Sequence, residues 1–406
     1  MKVVQVNFRF DDTLTDPDAL LDRYTTLTGW SRALLDAGAA CVSVVQRFSR
    51  PATVTREGVH YTFYVDHAAA QRTVVASCPD IVHVNGLDSP AETWTLRRAL
   101  PASARMVVQD HGSQVPVERG GRIERRIRRL LRGGALRSAD ALFFTAAEQA
   151  EPWRAAGLIA PRQRVYQVLE ASTTLRPMDR TEARRSSGLH GSPAVLWVGR
   201  LNANKDPLTL LDGFERSLPH LPEATLTMIY GEDDLLEDVR RRVAASPPLA
   251  ARVRLAGRVP HHRIAEYCSA ADLFALASHR EGSGYALLEA CACGAVPVVT
   301  SIPTFRVITA NGAIGALWNP GDPVACAHAL AGAARQDMRL ACTRVVEHFE
   351  QNLSWSAVGK QAVAAYQDIL GACTPPRKPG APTAPACAVG WKRARWGPRV
   401  DARDGS

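Results

Sequence analysis

The sequence predicts an α/β protein of two doubly wound parallel-sheet domains facing each other across a crevice. Three observations carry this. The length of 406 residues suits about two domains with separate cores. A make-up of 46% apolar and 22% charged side chains is that of a globular chain. Short β-branched runs alternate with helical spacing from end to end, which is the grammar of βαβ units covered on both faces.

In the first half the strand-like runs are Val3 to Val6, Cys41 to Val45, Ile81 to Val84, Met106 to Val108, Ala141 to Phe144 and Val165 to Val168. Between them Leu27 to Ala37 and Ala91 to Leu100 carry helical spacing. The second half repeats the pattern with Val195 to Val198, Thr225 to Tyr230, Val253 to Ala256, Asp272 to Ala275 and Val296 to Thr300. The break falls at 171–193, which is polar, contains Pro177 and Pro193, and has no strand pattern. The expected division is a first domain over 1–175, a second over 190–352, a C-terminal helix over 353–373 returning to the first domain, and a disordered basic tail over 374–406.

The formal charge of +9 is concentrated in two segments. Arg119 to Arg137 holds eight Arg and one Glu, and the tail from Thr374 holds seven Lys or Arg and two Asp; the remainder is net acidic. A general polyanion binder spreads its basic residues over the folded surface, and no aromatic interleaving accompanies these arginines, so nucleic acid is not expected as a partner. Nine cysteines lie scattered without a C-x-x-C, which argues against a zinc cluster or a disulfide framework and for a reducing compartment. The start MKVVQVNFRFDD runs straight into a strand pattern, and no stretch of 18 apolar residues occurs. A cytoplasmic location follows, soluble or peripheral at the inner face of a membrane.

Two segments of the second half concentrate the chemistry. In AVLWVGRLNANKDPLTLLDGF, residues 194–214, a buried strand ends at Val198, Gly199 lets the chain turn, and a loop presents Arg200 and Lys205 before Asp206 and Pro207 open a helix. Two cations at a strand's carboxyl end suit a diphosphate, although loop Arg and Lys are also common on plain surfaces. In HREGSGYALLEACACGAVPVVT, residues 279–300, Gly282, Ser283 and Gly284 precede an apolar helix, so free N–H groups and the positive helix end face the crevice. Glu281 and Glu289, eight residues apart, can point to one side of that helix. Carboxylates beside a diphosphate need hydroxyl donors, which a sugar ring and a ribose supply.

Together VGRLNANKDPLTLL and EGSGYALLEACACGAVPVV resemble the retaining glycosyltransferases of family 4, group 1 type, specifically over 194–335 and more loosely over 1–170. The resemblance implies the GT-B architecture of two Rossmann-like lobes, the first handling the acceptor. It implies transfer of a sugar from a nucleotide donor, UDP- or GDP-sugar first, to a hydroxyl of a glycan, lipid-linked or small-molecule acceptor. Retention, no obligatory metal and no cofactor besides the co-substrate come with it. By that resemblance Arg200 and Lys205 hold the diphosphate, Glu281 with Gly282, Ser283 and Gly284 addresses the transferred sugar, Glu289 accepts from the ribose, and Arg258 and Val259 border the base. His111, directly after the strand Met106 to Val108, contacts the donor sugar and aligns the reacting centre. On the acceptor side stand Asn85 and Gly86. Gly29 and Trp30 are weaker candidates there, because the family's glycine pair after the first strand is replaced by a long polar insertion.

Two rival readings use the same residues: a nucleotide-sugar epimerase or phosphorylase of this fold, or a nucleotide-sugar binder without turnover. The pair Glu281 and Glu289 argues against the latter, since carboxylates are costly beside phosphates with no sugar to bind. In Arg122 to Leu136, Ile123, Ile127, Leu130 and Leu131 form one helical stripe among arginines. Two readings stay open, peripheral contact with an anionic membrane or a core-facing stripe with a solvated basic back.

Overall fold

Buried β-branched runs pair into two parallel sheets in the structure, a computed structural model that describes residues 1–112, 115 and 121–371. The expected basic tail, and Arg119 of the basic run, lie outside the described residues. The first sheet comprises β1 (Lys2–Asn7), β2 (Cys41–Arg47), β3 (Ala52–Arg56), β4 (Val59–Tyr64), β5 (Ile81–Asn85), β6 (Arg105–Gln109), β7 (Ala141–Phe144) and β8 (Arg164–Gln167). Its spatial order is β3-β4-β2-β1-β5-β6-β7-β8. The second comprises β9 (Ala194–Gly199), β10 (Thr225–Tyr230), β11 (Val253–Gly257), β12 (Leu273–Leu276), β13 (Val296–Thr300) and β14 (Ala316–Trp318), in the order β11-β10-β9-β12-β13-β14. Strand order reverses between β1 and β5 and between β9 and β12, and at such switch points the loops part to leave a crevice outside the carboxyl ends.

Three elements depart from the expected pattern. β3 and β4 form an antiparallel hairpin at the sheet edge. It turns at Glu57 (φ 51°) and Gly58 (φ 80°), two consecutive left-handed residues as a tight primed turn requires; a Glu in place of the usual Asn or Asp hides the signal. The polar insertion after β1 contains a helix, Pro17–Arg23, whose first turn is capped by Asp16 accepting from the Ala19 N–H. β14 has only three residues, too few for a period to show.

Pleat alternation divides the first sheet into two faces. Val4, Val6, Val82, Val84, Met106 and Val108 enter one apolar cluster. The opposite face begins apolar at Val3, Ile81 and Val107 and turns polar toward the carboxyl ends. There the register places Gln46 of β2 beside Asn7 of β1, Asn7 beside Asn85 of β5, and Asn85 beside Gln109 of β6, a row of four carboxamides. The helix Trp355–Gly371 packs on this lobe: the Tyr366 hydroxyl donates to His83 Nδ1 over 2.7 Å, and Arg164 pairs with Asp368. Burial, with the His111 charge nearby, holds the His83 imidazole down at about 3, so the ring is neutral, and Nε2 donates to Gln109 Oε1 at 2.9 Å.

The helix Arg122–Ser138 buries only its last turns, where Gly133, Ala135 and Leu136 are covered and Gly134 meets Trp94. Its apolar stripe does not face the core. Ile123 is 77% exposed and Ile127, Leu130 and Leu131 are exposed as well, which overturns the core-facing reading of that stripe.

Candidate active site

The second lobe's switch point brings the two motif loops together. The loop after β9 and the loop after β12 are joined by backbone and side-chain hydrogen bonds: the His279 N–H donates to the Asn204 carbonyl at 2.9 Å, Asn204 Nδ2 to the Arg280 carbonyl at 3.0 Å, and His279 Nε2 meets Asp206 Oδ2 at 3.1 Å. Asp206 also caps the helix Pro207–Ser217, accepting from the Thr209 N–H, and does so from a left-handed backbone (φ 43°) that bends the loop toward its neighbour. At the centre Lys205 forms an ion pair with Glu281, each side chain only 13% exposed. Both groups, Arg200, Arg258, Val259 and the turn Gly282 to Gly284 line one cavity of about 1130 Å³.

The helix Tyr285–Ala292 starts at this cavity. Its cap residue Gly284 stands at φ 66° and supplies no side-chain acceptor, so the first-turn amides keep their capacity for an anion. Glu289, just over one turn on, is buried and accepts from His261 Nε2 at 2.6 Å. That hydrogen bond raises the His261 imidazole above its ordinary value against the opposing effect of burial. Arg200, about half exposed, lines the cavity and lies 3.6 Å from Glu232.

Across the crevice, His111 and Gly112 line the same cavity. A Cβ on Gly112, whose φ is +76°, would stand 2.6 Å from Gly282 Cα, so the two lobes touch backbone to backbone at these glycines. Beside them Glu170, buried and carried on the segment after β8, pairs with His111 Nδ1 and accepts from the Ser283 hydroxyl. Burial opposes the charged form of His111, yet the Glu170 carboxylate, with Asp110 and Asp88 farther off, raises the imidazole above its ordinary value. Gln149 adds a further bridge, donating to the Glu281 carbonyl and to Thr304 Oγ1, both at 3.0 Å.

A second cavity of about 660 Å³ opens at the carboxyl end of the first sheet and shares His111 and Gly112 with the first. Asn85, Gly86 and Trp30 line it; Asn85 Oδ1 lies 3.1 Å from His111 Nε2. Trp30 is 3% exposed and packs against the His83 ring at 5.4 Å. Gly29 does not line the cavity: its Cβ position would fall 2.5 Å from the Trp355 ring, so glycine there admits the C-terminal helix and the acceptor-side expectation gives way to a packing role.

Glu170, His261 and Gln149 lie outside the sequence motifs, and Asn204 lies within the first motif without a chemical signal of its own. Glu170 alone left a trace, a carboxylate inside the otherwise apolar VLEAS after the last strand of the first lobe. Among the described residues, no group of three or more His, Cys, Asp or Glu is arranged to hold a metal ion, and no helix is long and apolar enough to cross a membrane.

Residues 179–344 match the family described as Glycosyl transferases group 1. The chain is 32% identical over 230 residues to a D-inositol 3-phosphate glycosyltransferase of Geodermatophilus obscurus, a match covering 54% of this chain and 50% of that one. A protein of the same name from Thermobispora bispora is 30% identical over 209 residues, 48% of each chain. The chain thus spans about half the length of the curated relatives it matches. Sucrose-phosphate synthase from Thermosynechococcus elongatus superposes with a TM-score of 0.62 at 17% identity, over 92% of this chain and 100% of that one. HepE of Anabaena, solved with UDP and glucose, superposes with a TM-score of 0.61 at 16% identity, over 91% and 99%. At such identities the likeness is one of fold, and the fold is GT-B. The chain thus carries a Glycosyl transferases group 1 segment as its second lobe, within a two-lobed GT-B fold.

Proposed function

We propose that the protein is a retaining glycosyltransferase that moves a sugar from a nucleoside diphosphate sugar to an acceptor hydroxyl without a metal. The observation that supports it best is the convergence of Lys205, Glu281 and the uncapped start of the helix Tyr285–Ala292 on one cavity, which meets a second cavity at His111. As the bond between the anomeric carbon and the phosphate oxygen breaks, charge builds on the departing diphosphate. Arg200, Lys205 and the helix amides are disposed to stabilise it, the kind of electrostatic effect that dominates such reactions. Glu289 and its partner His261 stand where a ribose would exchange hydrogen bonds. In the retaining mode the acceptor attacks the face the nucleotide leaves, its proton passing to the diphosphate. Contact between the lobes at Gly112 and Gly282 would keep water from the sugar.

UDP- and GDP-sugars are the donors to try first; HepE, a neighbour in fold, was solved with UDP and glucose. The test is a thermal-shift panel of nucleotide sugars, in which a selective ligand raises the midpoint by mass action, followed by product analysis with the selected donor. An isomeric nucleotide sugar formed without acceptor would assign an epimerase, and a requirement for inorganic phosphate a phosphorylase.

A second proposal concerns the helix Arg122–Ser138. Its exposed Ile123, Ile127, Leu130 and Leu131, set among arginines, suit the surface of an anionic bilayer, where apolar side chains enter the acyl boundary and guanidinium groups meet headgroups. Co-sedimentation with phosphatidylglycerol vesicles tests it: binding should fall with salt and in an Ile123→Ser, Ile127→Ser variant.

A further inference from the structure

We propose that the cavity at the carboxyl end of the first sheet takes an uncharged polyhydroxyl acceptor, a sugar or cyclitol lacking phosphate, and discriminates against the phosphorylated form of the same compound. The inference rests on the transferase reading above and names the substrate class of that site. In the transfer, the acceptor oxygen forms its bond to the anomeric carbon as the bond to the diphosphate oxygen breaks, and the hydroxyl proton leaves with the diphosphate.

The floor of the cavity is the carboxamide row. Gln46, Asn7, Asn85 and Gln109 all line it, with Gln5 one pleat behind. Two of these amides are incompletely satisfied. Gln109 is 1% exposed; its Oε1 accepts from His83 while its Nε2 has no partner, and Asn7 Nδ2 is likewise unpartnered. A buried amide donor without an acceptor is unfavourable, and a hydroxyl oxygen of a bound ligand supplies what is missing. Carboxamides offer both donors and acceptors without charge, which matches hydroxyl groups, each of which also donates and accepts.

The charge at the mouth points the same way. Among the described lining residues the acidic groups are Asp11, Asp12, Asp88 and Glu170, and the only cations are Arg9 and His111. Neither cation is unengaged: Arg9 lies 3.5 Å from Asp88, and His111 is paired with Glu170. Arg47, outside the lining, is held over the Phe10 ring. Asp11 accepts from the Thr13 and Tyr24 hydroxyls, which keeps its carboxylate ionised. A phosphomonoester carries a charge of about −1.5 to −2 and binds where arginines fork onto it. Here it would meet Asp11 and Asp12 at the mouth, with the two lining cations already engaged by Asp88 and Glu170, and like charges placed together oppose binding.

The experiment is calorimetric titration of the full chain, in the presence of UDP, with myo-inositol, glucose and mannose and with the monophosphate of each. At least one neutral compound should bind, with its monophosphate about tenfold weaker or more. The triple variant Asp11→Asn, Asp12→Asn, Asp88→Asn should narrow that gap, and Gln109→Leu should weaken the neutral ligand about threefold to tenfold, the worth of one hydrogen bond. A monophosphate that binds as tightly as its parent compound overturns the proposal, and so does a panel in which no neutral compound binds. Nucleotide sugars titrated on the same sample read the donor site separately. Donor binding with a preference for phosphate sinks this proposal alone, whereas neutral-ligand binding with no response to any donor sinks the transferase reading.

Discussion

Replacing Lys205 by Met keeps the aliphatic stem and removes only the charge, which serves both the fold and the proposed chemistry. For the fold, it balances Glu281 in a site where both side chains are 13% exposed. An ion left without its partner costs about 3–5 kcal/mol when fully buried and less where some water enters, so about 2 kcal/mol is expected here. In a lobe of about 150–250 residues that lowers the thermal midpoint by about 4–8 °C. Adding Glu281→Gln removes the orphaned charge and should return at least half of that loss. Turnover follows a different rule. Loss of one preorganised cation from the departing diphosphate costs about 10² to 10³ in kcat, or about 3–4 kcal/mol, and the added Gln restores none of it. The assay pairs thermal midpoints with kcat at saturating donor for the single and double variants. If Lys205→Met lowers the midpoint yet keeps kcat within about threefold of the parent, Lys205 is a structural cation and the diphosphate assignment is wrong.

Gly112→Ala should lower kcat/KM at least about tenfold, since it adds left-handed strain of about 1–2 kcal/mol and drives a methyl into Gly282; Gly38→Ala, also at positive φ but with nothing within 4 Å, carries the strain alone and should leave kcat/KM unchanged. Because the His111 imidazole is raised above its ordinary value of 6.5, the stability it contributes is complete below that pH and is lost as pH climbs through the raised value. Glu170→Gln should therefore flatten part of the fall in midpoint between about pH 6 and pH 9; His261 shares this sign and is untouched by the variant, so identical slopes in the two proteins would contradict the pairing. Tyr366→Phe strips the donor from buried His83 Nδ1 and should cost about 1–3 kcal/mol by denaturant melt, with donor affinity unchanged.

The sheets were legible because the buried parallel strands are short β-branched or otherwise apolar runs, and the two motif loops because glycines and cations crowd two strand ends. Packing partners far apart in sequence left no such mark. Glu170 meets His111 and Ser283 across sequence separations of 59 and 113, and neither neighbour in sequence hints at either contact. Gly29 misled for a related reason: a glycine near the first strand reads equally as a ligand loop or as room for another element, and here Trp355, more than three hundred residues away, fills the space. The carboxamide row has the opposite character. Gln46, Asn7, Asn85 and Gln109 each end a strand pattern, but their alignment exists only once the register of four strands is known.

The placement of Glu170 ties the two halves of the site together. Its carboxylate rides on the segment that follows the last strand of the first lobe, accepts from a serine in the second lobe's glycine turn, and pairs with the first lobe's histidine. Separating the lobes must lengthen at least one of these two contacts, because Ser283 and His111 stand on opposite walls. The Gly112 to Gly282 contact falls on the same line, so the approach of the backbones and the sharing of the carboxylate come and go together. If the Ser283 hydroxyl orients the Glu170 carboxylate toward His111, the charge on His111 is coupled to the closed arrangement. A histidine whose charge depended on its own lobe alone would carry the same pKa whether or not the crevice was shut, and titration of His111 by NMR in the parent and in Ser283→Ala distinguishes the two cases. A lower His111 pKa in the variant supports the coupling, and an unchanged value assigns the pairing to the first lobe and its linker by themselves.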